Sequence, residues 1–100
     1  MAERSQVLLT TEKAANYIRQ LSKHFAHKIR VEDGDGLIIF HFTDGRATAQ
    51  AEGNHLKLYV DAETIGQRQR VEEIIGSHLE RFAFRENLRV HWPDQTEMDI

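Results

Sequence analysis

Apolar residues recur along this chain with two different periods, and each change of period marks a new element. Gln6 to Leu9 reads as a short strand. From Ala14 onward the spacing becomes three or four. Ala14, Ile18, Leu21 and Phe25 fall on one side with Tyr17 beside them, and Asn16, Gln20, Lys23 and His27 fall opposite. That is one apolar face of a helix, predicted over residues 11–27. Thr10 or Thr11 supplies its N-cap. Glu12 stands in the first turn, where the helix dipole favours an anion.

The period then drops to two, the signature of strands. Ile29 and Val31 alternate with Arg30 and Glu32, and Leu37 to Phe42 is apolar on both faces until His41. Ala47, Ala49 and Ala51 alternate with Thr48, Gln50 and Glu52, and Leu56, Leu58 and Val60 alternate with Lys57 and Tyr59. Turn residues separate these runs: Asp33-Gly34-Asp35-Gly36, Asp44-Gly45 and Glu52-Gly53-Asn54. Asp44-Gly45 is the strongest hairpin signal, because both residues tolerate positive φ.

A second helical stripe follows, with Val71, Ile74, Ile75, His78, Leu79 and Phe82 on one side. Asp61 is its expected cap, with Glu63 in the first turn, and the predicted helix spans 61–82. Gly66 and Gly76 each cost this helix about 1 kcal/mol relative to alanine, so packing must hold it. Leu88, Val90 and Trp92 alternate with Arg89 and His91 in an expected last strand, stopped by Pro93.

The order β-α-β-β-β-β-α-β predicts an α+β fold, a two-layer sandwich with a largely antiparallel sheet and two helices on one face. The row Ala47, Ala49, Ala51 lets a helix approach its strand closely. The 100 residues are expected to form a single domain, with an ordered core at about 5–92 and a frayed tail over 93–100.

Composition narrows the function classes. The formal charge is −3, so no overall basic field attracts nucleic acid or an anionic membrane. There is no cysteine, hence no disulfide framework and no thiolate chemistry. The longest apolar run, Leu37 to Phe40, is too short to cross a bilayer, and Met1 to Gln6 shows no apolar signal region. A cytoplasmic protein is the expectation.

Six histidines carry most of the candidate chemistry. His24 and His27 are three apart at the end of the first helix, and His78 sits on the apolar stripe of the second. Imidazole can bind a metal, move a proton or hydrogen-bond helix carbonyls. A metal site on His24 and His27 would need a third ligand, His78 or Glu80 from the other helix end. The alternative is a structural set, with His78 bonded to a backbone carbonyl or to Tyr17. Arg81 and Arg85 supply paired donors for an anion, and Phe25 and Phe84 supply aromatic walls. His24, His78, Arg81, Arg85, Phe25 and Phe84 therefore form a candidate ligand site where the helix ends meet the sheet. Salt bridges with Glu80 and Glu86 are the competing use of those arginines.

The open sheet face is expected to carry Arg30, Thr48, Gln50, Lys57, Tyr59, Arg89 and His91. Either Leu37 with Ile39, or Phe40 with Phe42, must share that face. An apolar strip there points to self-association, and hence to a homodimer. Tyr59 is the one aromatic placed there with basic residues around it, too little for an RNA platform. No nucleophile elbow surrounds Ser5, Ser22 or Ser77, and no catalytic residue is assigned.

Two stretches resemble the signatures of a small bacterial family catalogued as a domain of unknown function. They are Leu21-Ser22-Lys23-His24-Phe25-Ala26-His27-Lys28 and Ser77-His78-Leu79-Glu80-Arg81-Phe82-Ala83-Phe84-Arg85-Glu86. The resemblance covers about residues 5–92. It implies a free-standing domain and an association with iron acquisition, because similar domains accompany or are fused to siderophore-interacting flavoproteins. It implies no activity, substrate or catalytic residue. The chain itself has no Gly-x-Gly-x-x-Gly and hence no flavin or nicotinamide site of that kind. The resulting expectation is a small binding or accessory domain with a small anionic ligand or a flavoprotein partner, and without a cofactor. The alternatives are a metal-dependent lyase-like enzyme using the histidines, and a structural homodimer paired through the sheet.

Overall fold

The computed structural model describes residues 3–34 and 36–93. Five strands and two helices follow one another as β1 (Glu3–Thr10), α1 (Ala14–Phe25), β2 (Arg30–Gly34), β3 (Leu37–Phe42), β4 (Gly45–Glu52), β5 (His55–Ala62) and α2 (Ile65–Phe82). A 3-10 turn, Phe84–Glu86, ends α2. The sheet order is β1-β5-β4-β3-β2, and every neighbouring pair is antiparallel. The α+β sandwich expected from the alternation is therefore present, with the meander β2 to β5 closed by β1 at its edge.

The register shows why one face is covered. Phe40, Ala47, Val60 and Ser5 form one row across β3, β4, β5 and β1, and Ile38, Ala49, Leu58 and Val7 form the next. Ala47, Ala49, Leu56, Leu58, Val60 and Phe40 are buried, as are Leu21 and Phe25 of α1 and Val71, Ile75 and Leu79 of α2. Each large aliphatic or Phe side chain buried this way stabilises the fold by about 1.5–3 kcal/mol. Both helices lie over β4 and touch each other; α1 also reaches β2, β3 and β5, and α2 reaches β5 and β1. The alanine row allows that approach, since a larger residue would lift the helices away from the strand.

Two local expectations are corrected. Neither helix starts where its first polar residue suggests. Thr11 turns back to accept a hydrogen bond from the Lys13 N–H (3.1 Å), and α1 begins at Ala14. Asp61 does not cap α2. It remains in β5, where its carboxylate meets Arg4 (3.0 Å) and Arg46 (3.8 Å), and Thr64 caps instead by accepting from the Gln67 N–H (3.2 Å). The DG hairpin loop is Thr43-Asp44, with Gly45 already paired to Phe42 and Ala62. A Cβ at Gly45 would stand 2.4 Å from the Asp61 carbonyl oxygen, so only glycine fits.

The expected last strand does not join the sheet. Residues 88–92 carry no ladder. After Asn87, which adopts a left-handed conformation (φ 53°), the chain runs back along α2. The Val90 N–H donates to Glu80 (2.8 Å), and Val90 and Trp92 lie against Gly76. Alternation alone cannot tell a strand from an extended segment packed on a helix, because both bury every second side chain. The expected tail beyond Pro93 lies outside the described residues.

Candidate functional site

The helix-end residues are only partly gathered. His24 occupies the last turn of α1, and His78 the last two turns of α2. Their ring centroids are 4.8 Å apart. Phe25 joins them, 5.0 Å from His24 and 4.9 Å from His78, and Phe82 closes the group 5.9 Å from His24. Behind Phe25 stand Phe40 and Phe42 of β3, at 5.7 and 5.1 Å. The i, i+4 spacing of Leu21 and Phe25, and of Ile74 and His78, turns these side chains toward the contact between the helices.

The two imidazoles are held differently. His78 is half-buried, and its Nδ1–H donates to the Ile74 carbonyl at 2.7 Å, the carbonyl bond expected of a histidine on an apolar stripe. The Nε2 of His24 is buried without a hydrogen-bond partner among the described residues, and the ring packs on Phe25, His78 and Phe82. Burial is the largest influence on it, followed by His78, Lys28, Arg81 and His27, and all hold the His24 pKa below its ordinary 6.5.

The other helix-end residues stand elsewhere. Arg81 is exposed, near enough to influence His24. Phe84 is 68% exposed, with the Arg85 guanidinium over its ring at 5.6 Å. That stacked pair belongs to the 3-10 turn and not to the ring cluster. His27 is exposed beyond the end of α1. Among the described residues no three His, Cys, Asp or Glu side chains converge as a metal-holding set.

The open sheet face has a more developed shape. Its central row is Ile39, Thr48, Tyr59 and Gln6. On one side runs His41, Arg46, Asp61 and Arg4, and on the other Leu37, Gln50, Lys57 and Leu8. Leu37 and Ile39 thus take the open face, and Phe40 and Phe42 the helix side. A concavity of about 850 Å³ crosses β3, β4, β5 and β1, and Leu37, Thr48, Gln50, Tyr59, Arg4, Asp61 and Pro93 are among the residues that line it. A smaller hollow of about 320 Å³ shares Gln6, Tyr59 and Pro93 and reaches Leu8 and Lys57. Leu8 is 57% exposed at this edge.

The charges of this face are paired. Arg4 and Arg46 meet Asp61, Lys57 meets Glu52 at 3.3 Å, and His41 and Arg30 both meet Glu32. A ligand here would meet a nearly neutral surface of one aromatic ring, aliphatic side chains and the amide and hydroxyl groups of Gln6, Thr48 and Gln50. Thr48, Gln50 and Tyr59 are where strand alternation placed them. Arg89 is not. It leaves the sheet and approaches Glu80 of α2 (3.7 Å). Gln6, Asp61 and Pro93 are additions. Parity along β1 and β5 would have put Gln6 with Tyr59, but no sequence signal brings Pro93 to this concavity.

A comparison with curated proteins gives no match. Among solved structures, the NMR structure of PA4090 from Pseudomonas aeruginosa is similar, with 28% identity and a TM-score of 0.76 over 90% of this chain and 94% of that one. The overall fold is thus shared with a protein of nearly the same length. Residues 6–93 match the profile described as uncharacterized protein conserved in bacteria (DUF2218), and the chain belongs to that family.

Proposed function

We propose that this domain is a binding or accessory module that holds a small ligand on the open face of its sheet, in the context of bacterial iron–siderophore use. The observation that carries the reading is the concavity of about 850 Å³ around Tyr59. Its size lies within the range of small-molecule clefts, roughly 300–1,000 Å³. Its lining supports that reading. Tyr59 offers a flat face, Leu37 offers aliphatic contact, and Gln6, Thr48 and Gln50 offer donors and acceptors that fix orientation. The iron context comes from the family resemblance of the two histidine-bearing stretches.

A second reading places a small anionic ligand at the helix ends, on His24, His78, Arg81, Arg85, Phe25 and Phe84. Its support is the juxtaposition of His24, His78 and Phe25. The negative C-termini of both helices oppose an anion there.

One titration separates the two. Backbone amide shifts are followed as catecholate and hydroxamate siderophores, with and without iron, and simple aromatic carboxylates are added. The open-face reading expects shifts at Gln6, Thr48, Gln50 and Tyr59, abolished by Tyr59→Ala in a protein of unchanged stability. Shifts confined to residues 24–27 and 78–85 would overturn it in favour of the helix ends. Shifts of the open face that depend on protein concentration alone would replace the ligand with a second copy of the chain.

A further inference from the structure

We propose that His24 is a pH-sensitive latch between the ends of α1 and α2: the contact holds while its imidazole is neutral and loosens when the ring takes a proton. The geometry sets the two states apart. A neutral ring with its proton on Nδ1 leaves only a lone pair at the buried Nε2, which is tolerable among aromatic edges. A charged ring must carry a proton on Nε2 as well, and no acceptor stands there among the described residues.

The basic groups of α2 and of the turn after α1 reinforce the difference. From α2, His78 lies 4.8 Å away in ring-centroid distance, and Arg81 adds a positive charge. From the turn after α1 come His27 and Lys28. The sheet contributes Phe40 and Phe42, packed behind Phe25 and carrying no charge. The negative end of α1 works the other way, since it favours imidazolium. Burial and four basic neighbours outweigh it, and the neutral form is the one held.

The sign follows. As pH falls past 6.5 the unfolded chain accepts this proton before the folded one does. Stability present above 6.5 is lost progressively below it. The loss is local to the Phe25, His78 and Phe82 contacts, because those rings surround the site of the new charge. A mildly acidic compartment or surface would therefore release the last turn of α1 first.

The test is a titration of the imidazole nitrogens of the whole protein from about pH 8 to about pH 5. It is paired with amide hydrogen exchange and thermal unfolding of wild type and His24→Phe over the same range. The expected result is a neutral His24 in the Nδ1–H form that charges only below 6.5. Protection of amides 22–25 and 78–82 should fall several-fold on acidification, and the unfolding temperature of wild type should drop further than that of His24→Phe. Charging at or above 6.5, or equal drops in the two proteins, would overturn the proposal. If His24→Phe fails to fold, the nitrogen titration of wild type decides alone.

Discussion

Gly76 of α2 and Trp92 of the returning C-terminal segment are in contact, so close that a Cβ on Gly76 would stand 3.2 Å from the indole Nε1 and 3.6 Å from Val90. A glycine that costs a helix about 1 kcal/mol in isolation is here the gap into which the segment after α2 settles. The segment then carries Pro93 to the open-face concavity, which it helps to line. A bulky residue at 76 should lift the segment off. Gly76→Leu is expected to shift tryptophan emission to the red and to lower stability by about 1–3 kcal/mol. The chain has a single Trp, so the fluorescence reports this contact alone. Unchanged emission would refute the contact.

Arg68 is buried with Glu72 and Ser5. Its Nε lies 3.2 Å from the Glu72 carboxylate and its Nη1 3.1 Å from Glu3, while the Ser5 hydroxyl donates to Glu72 at 2.5 Å. Removing one side of such a group leaves the other charge buried and unpaired, at a cost of about 3–5 kcal/mol. Arg68→Ala should lower the denaturation midpoint accordingly. The double variant Arg68→Met with Glu72→Leu should recover most of the loss. A double variant as unstable as the single one would show that the ion pair was not the cause.

His78→Ala removes the bond to the Ile74 carbonyl and the ring contacts with His24 and Phe25. A loss of about 1–3 kcal/mol in chemical denaturation is expected, set by the lost partner and the lost packing. Full stability in the variant would mean that the half-buried ring contributes nothing there.

Tyr17 is buried, and burial together with the charge and hydrogen bond of Glu86 holds its pKa above 10.0. Glu86 is itself fixed by the Thr11 hydroxyl at 2.6 Å. The folded state keeps the phenol proton, so this contribution is present below 10.0 and is lost as pH rises beyond it. Tyr17→Phe should flatten the alkaline limb of the stability profile, measured as unfolding midpoints on either side of 10.0. An alkaline limb as steep as wild type would remove Tyr17 as its source.

The alternation of Ala47 to Ala51 and of Leu56 to Val60, with the stripes on both helices, by itself determined an antiparallel sheet covered on one face. Period is a local property, and burial of one face follows directly from it. The same parity placed Thr48, Gln50 and Tyr59 together on the other face. The histidine stretches were visible as residues at helix ends, and helical spacing already turned His24 and His78 toward apolar neighbours. Tertiary structure decided the rest. Whether Leu88 to Trp92 paired with a strand or lay on α2 depended on the gap at Gly76, which no alternation encodes. Whether Asp61 capped a helix or held two arginines depended on Arg4, 57 residues earlier in the chain, arriving opposite it in register. The separation of Phe84 and Arg85 from His24 depended on the turn that ends α2. Such outcomes rest on contacts between distant residues, and those exist only once the sheet has brought its strands side by side.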